Sequence, residues 1–138
     1  LKPHRFPKSE RLHSKKIIDS LFNPANKSLG GNVFLYPFKI FWLKIAPIEN
    51  NISDLLPQII VSIPKKNFKK AVERNRLRRQ IKEIYRLNRL EIFSKQTTPL
   101  ALGIVYIAKE KNEFMFMRKK LIVILHKLVE AIKESPKG

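Results

Sequence analysis

Between Ala101 and Ala108 the chain reads ALGIVYIA, without a single charged residue. An extended segment this apolar has no side to offer to water, so it is expected to be an interior strand covered on both faces. A second β-rich run, Gln58 to Ile63 (QIIVSI), precedes it and ends at Pro64. Between the two lies a long stretch of helical period. A strand, helix, strand passage of this kind sets its two strands parallel in one sheet. Cover for the sheet comes from that helix and from a final one over Glu113 to Glu134, where Met117, Leu121, Ile124, Leu125, Leu128 and Ile132 recur on one side. Pro136 and Gly138 close it.

The earlier part of the chain supplies smaller pieces. Ile17, Ile18, Leu21 and Phe22 follow i, i+3, i+4 spacing, so a short helix capped by Ser14 is expected to reach Phe22 and stop at Asn23-Pro24. Asn26 to Asn32, with Gly30-Gly31, reads as a loop. Val33 to Ile45 (VFLYPFKIFWLKI) is dense in aromatic and β-branched residues, and reads as one long edge strand broken or bulged at Pro37. Ala46 to Leu56 and Ser94 to Pro99 read as a loop and a polar linker. The order α-β-β-α-β-α gives an α/β (α+β) two-layer sandwich, and 138 residues with 43% hydrophobic content suit a single domain, 1–138. Residues 1–12 lack apolar period and read as a flexible basic arm.

The central helix carries the strongest chemical signal. Pro64 to Arg89 reads PKKNFKKAVERNRLRRQIKEIYRLNR. At about 100° per residue, Leu77, Ile81, Ile84 and Tyr85 form an apolar arc, while Arg74, Arg78, Arg79, Lys82, Arg86 and Arg89 spread with Asn75 over an adjoining sector of roughly 140°. Glu73 and Glu83 fall outside that sector, so the cationic rail is expected to stay unneutralised along its length. A face kept for solubility mixes both signs; this one is dominated by arginine, whose planar fork suits phosphate and base stacking.

Composition points the same way. Lys and Arg number 29 against 11 Asp and Glu, a formal +18 that draws polyanions at long range. No run of about 18 apolar residues could span a bilayer, so no membrane is expected, and Leu1-Lys2-Pro3-His4-Arg5 is followed by no apolar leader core. The chain has no Cys, which excludes disulfide and thiolate chemistry and is compatible with a cytoplasmic address. His4, His13 and His126 are isolated in sequence. There is no HExxH, no Walker loop, no GxGxxG and no acidic cluster of two-metal type, so no catalytic or metal-binding side chains are expected. Phe22, Phe34, Tyr36, Phe38 and Trp42 could stack on bases, but Phe34, Phe38 and Trp42 read as core, leaving Tyr36 with its polar tip as the better exposed platform.

Lys65-Lys66, Ala71-Val72, Arg74-Asn75-Arg76 and Arg78-Arg79, with Glu83 and Arg86 behind, resemble the RNR signature of the protein component of bacterial ribonuclease P. Arg11-Leu12 ahead of the first helix, Phe34-Leu35-Tyr36 and Val61-Ser62 stand in the order expected of that family. The resemblance implies a ribosomal-protein-type fold with a left-handed crossover through the basic helix. It also implies two RNA partners: a catalytic RNA, and the precursor tRNA whose five-prime leader that RNA removes. Magnesium, in that family, is bound mainly by the RNA and not by the protein. The expected RNA-binding group is Lys65, Lys66, Arg74, Asn75, Arg76, Arg78, Arg79, Lys82 and Arg86. The expected leader cleft is Ile18, Phe22 and Tyr36, with Ile18 standing where relatives often have an aromatic. The free protein is expected to be a monomer without catalytic activity of its own. A structural RNA binder of ribosomal type is the alternative, needing the arginine block but no aromatic cleft.

Overall fold

The computed structural model describes residues 15–22, 30–44, 57–94 and 100–134. The expectations for the arm, for Ser14, for Asn23-Pro24, for the 46–56 loop and for Pro136 and Gly138 lie outside them. In chain order the elements are α1 (Lys15–Leu21), β1 (Gly30–Leu35), β2 (Phe38–Lys44), β3 (Gln58–Ser62), α2 (Ala71–Ile92), β4 (Leu100–Tyr106) and α3 (Phe114–Glu134).

The four strands form one sheet in the order β1-β2-β4-β3. β4, the apolar run, lies inside it, antiparallel to β2 and parallel to β3, with Val61 opposite Ile104. Alternation then assigns each side chain a face. Phe38, Ile40 and Trp42 of β2, Ile59 and Val61 of β3, and Leu100, Leu102, Ile104 and Tyr106 of β4 join the buried faces of α2 and α3 in the main core. Leu77, Ile81, Ile84 and Tyr85 of α2 are buried there, each contributing about 1.5–3 kcal/mol of transfer free energy. On the opposite face, Leu21 packs against Leu43 and Ala101, with Ile17 and Ile18 partly buried beside them. The result is a mixed sheet in an α+β fold, with two long helices on one face and α1 across part of the other.

Two expectations change. The stretch from Val33 is not one edge strand with a break: the chain reverses at Tyr36-Pro37, whose peptide bond is cis, and β1 and β2 pair antiparallel. Pro37 donates nothing to a ladder, which suits a turn, and its carbonyl accepts from Ile107 N at 2.9 Å at the end of β4. Of these two strands only β1 lies at an edge of the sheet, and the element order gains a strand. Gly30, Gly31 and Asn32 are not loop but the start of β1, paired with Leu43, Trp42 and Phe41. A Cβ at Gly30 would lie 2.1 Å from the Trp42 carbonyl oxygen, so close pairing requires glycine there.

Candidate nucleic-acid interface

The basic helix begins at Lys70 without a side-chain cap. Its first arginine turns back instead. Arg74 Nη1 donates to the Phe68 carbonyl at 2.8 Å and to the Lys69 carbonyl at 2.9 Å, binding the helix to the segment that leads into it. Arg78 reaches sideways: its Nε donates to the Val61 carbonyl of edge strand β3 at 3.3 Å and its Nη1 to Asn75 Oδ1 at 2.7 Å. Lys65 and Lys66 are exposed in the turn after β3, Asn75, Arg76 and Arg79 are exposed on the helix, and Lys82 is half-buried. Val72, Asn75, Arg78, Arg79 and Lys82 line an open hollow of about 420 Å³.

The rail is shorter and less uniform than its helical wheel suggests. Arg89 is buried, 3% exposed, and donates to the Arg86 carbonyl one turn back, so it leaves the exposed sector. Arg86 is bidentate to Glu83, at 2.8 and 2.7 Å. That i,i+3 pair neutralises the far end of the rail, contrary to expectation, because a long guanidinium bridges the angle between sectors that Cα positions keep apart. The hydrogen bond from Arg86 holds the Glu83 carboxyl below the usual range, and the same bond raises the guanidinium. Glu73 turns away from the rail to Lys111, 2.8 Å distant, and that contact lowers its pKa.

The other face of the sheet carries aromatics. Ile18 is half-buried against the Leu21, Leu43 and Ala101 cluster. Phe22, 36% exposed, meets Phe41 edge-on with centroids 5.0 Å apart and lies over Gly103. Strand register continues the strip: Asn32, Phe41, Gly103 and Ile60 form one row, and Phe34, Lys39, Val105 and Ser62 the next. Lys39 Nζ stands 5.1 Å from the centroid of Phe41. Tyr36, 44% exposed, lies at the turn beyond. Phe38 and Trp42 are core, but Phe34 is not, at 53% exposed: it lies at the sheet edge, beyond the reach of α1 on the same face, and no described element packs over it. Sequence reasoning left Phe34, Lys39, Phe41 and Gly103 out of the cleft. The lone glycine in ALGIVYIA was the available signal, since glycine inside a strand marks close approach. Rail and trough thus sit on opposite sides of the sheet, with Arg78 reaching its β3 edge.

Among the described residues no three or more His, Asp or Glu come together as a metal site, and no helix is long and apolar enough to cross a membrane. His126 is exposed on α3; His4 and His13 lie outside the described residues.

Comparison with known proteins assigns this architecture. Ribonuclease P protein components of two Porphyromonas gingivalis strains are each 34% identical over 124 residues, spanning 85% of this chain and 84% of theirs. The Chlorobium phaeobacteroides component is 28% identical over 131 residues, spanning 88% and 86%. Two solved structures of the Thermotoga maritima RNase P protein, one in complex with 1-(4-fluorophenyl)-2-thiourea, share the fold. Their TM-scores are 0.63 and 0.64 at 22% identity, covering 86% and 85% of this chain and 96% and 98% of theirs. With the family model described as Ribonuclease P matching residues 6–130, nearly the whole chain, this protein belongs to the ribonuclease P protein family.

Proposed function

We propose that this chain serves as the protein subunit of a ribonuclease P particle, binding the catalytic RNA along the start of α2 and the single-stranded five-prime leader of precursor tRNA along the trough between α1 and the sheet. The observation that carries this reading is the pairing of a cationic helix on one side of the sheet with a strip on the other in which Phe22 and Phe34 are exposed and Phe41 and Lys39 are half-buried. A structural RNA binder needs only the first. Exposed rings with a cation among them suit unpaired nucleotides, whose bases stack and whose backbone is anionic.

Bond cleavage is assigned to the RNA. Magnesium, in this reading, is held mainly by the RNA partner. The protein acts by holding substrate, as a cytoplasmic monomer when free. Reconstitution with the organism's catalytic RNA tests this directly. Cleavage of precursor tRNA should be strongly promoted at low magnesium by adding the protein, and protein free of RNA should leave the substrate intact. Specific leader removal by the protein alone would overturn the assignment.

A further inference from the structure

The hollow on α2 has a chemical character that phosphate binding alone does not require. Its amide is fixed. A guanidinium carries donors and no acceptor, so the 2.7 Å contact from Arg78 Nη1 can only be to the carbonyl oxygen of Asn75, which leaves the amide nitrogen for another partner. That nitrogen makes no hydrogen bond among the described residues. Arg79, one turn on, adds an exposed fork of donors, and Lys82 lines the same hollow. Val72 completes it, 77% exposed in the first turn of a strongly cationic helix. Val72, Asn75 and Arg79 stand at i, i+3 and i+7, one stripe of the helix.

Donors at the rim and an apolar side chain beside them suit a flat, acceptor-edged group. We propose that this hollow binds the Hoogsteen edge of a guanine in the RNA partner, with N7 and O6 accepting from Asn75 Nδ2 and Arg79 and the base face resting on Val72. Guanine presents two adjacent acceptors there, whereas adenine presents N7 beside an amino donor and cytosine presents its amino donor. An asparagine ordinarily suits adenine by using its oxygen and its nitrogen together. Here Arg78 engages the oxygen, and what remains is a donor set. Arg78 is therefore a positioning residue for Asn75. The inference rests on the proposal that α2 faces the catalytic RNA, and adds that one contact reads a base.

Interference mapping separates the two. The catalytic RNA is transcribed with 7-deazaguanosine placed sparsely through it, which removes N7 and leaves charge unchanged, and bound and unbound pools are compared for wild-type protein, Asn75→Ala and Arg76→Ala. With wild type, at least one guanosine should interfere, weakening binding about tenfold as expected for a lost bidentate base contact. That signal should persist with Arg76→Ala and vanish with Asn75→Ala, whose own affinity should fall about tenfold with an unchanged salt slope. Asn75 is exposed, so its truncation should leave the fold intact, which a thermal melt checks. Arg78→Lys, which keeps the charge but loses the fork, should weaken the same guanosine signal. Tight binding with no guanosine signal erased by Asn75→Ala overturns the base hollow and leaves the particle assignment standing. In a parallel transcript carrying 7-deazaadenosine, an adenosine signal erased by Asn75→Ala instead also overturns it. Failure of wild-type protein to bind the RNA overturns both.

Discussion

Phe22 rests on Gly103 so closely that a Cβ built on the glycine would lie 2.7 Å from Cζ of the ring. The trough therefore has its floor set by a missing methyl group. Gly103→Ala should push the ring and the end of α1 away from the sheet, at a cost of about 1–3 kcal/mol for overpacking. Thermal melts should show that loss. Binding of precursor tRNA by the assembled particle should fall, while binding of mature tRNA should hold.

Phe34→Ala and Tyr36→Ala test the trough with less risk to the fold, since both rings are exposed. Stacking on an aromatic is worth roughly 1–3 kcal/mol per base, so each should weaken precursor tRNA binding by about five-fold or more. Mature tRNA has no leader and should bind as before. Tyr36→Phe keeps the ring and should be nearly silent. Equal losses for precursor and mature tRNA would remove these residues from a leader site.

Arg74 and Arg79 should respond differently to lysine. Arg74 spans two backbone carbonyls from the tip of its guanidinium, a reach that lysine, whose nitrogen lies one atom nearer the backbone, does not match. Arg74→Lys should lower stability by about 1–2 kcal/mol in denaturant titrations. Arg79→Lys should leave stability unchanged, and Arg79→Ala should reduce the slope of log K against log salt by up to about one unit.

Removing the acid from the rail is the complementary change. Glu83→Gln deletes the carboxylate that faces Arg86, so the positive field of α2 should rise. RNA affinity at low salt should increase and its salt dependence steepen by up to about one unit. An unchanged slope would place the far end of α2 away from RNA.

Much of the fold was legible because period and burial agree. The apolar arc of α2 and the buried stripe of α3 lie where 3.6-residue spacing puts them, and ALGIVYIA is interior because nothing in it tolerates water. The hairpin was not legible: the core-facing positions shift from Val33 and Leu35 to Phe38, Ile40 and Trp42 across Tyr36-Pro37, and in a run this apolar a bulge and a reversal leave the same mark. Phe34 was misjudged because large apolar residues in strands are usually buried, whereas α1 packs against β2 and β4 and leaves this end of β1 exposed. Arg89 and the Glu83–Arg86 pair escaped because a wheel locates Cα positions, whereas an arginine head group can sit a full turn away. The roles of Arg74 and Arg78 depend on carbonyls of Phe68, Lys69 and Val61, which no side-chain pattern reveals.

The parallel pairing of β3 with β4 has an electrical result. α2 must run back against both strands, α3 packs beside it across β1 and β2, and the first turn of α2 meets the segment leading into α3 where Glu73 bridges to Lys111. Their peptide dipoles add instead of cancelling, with about half a unit of positive charge at each start. The pole from which the Lys65-Lys66 turn leads into α2 is thus electropositive through its backbone as well as its side chains. A share of the attraction for polyanions is written into the chain's course, and no replacement of the arginines would erase it.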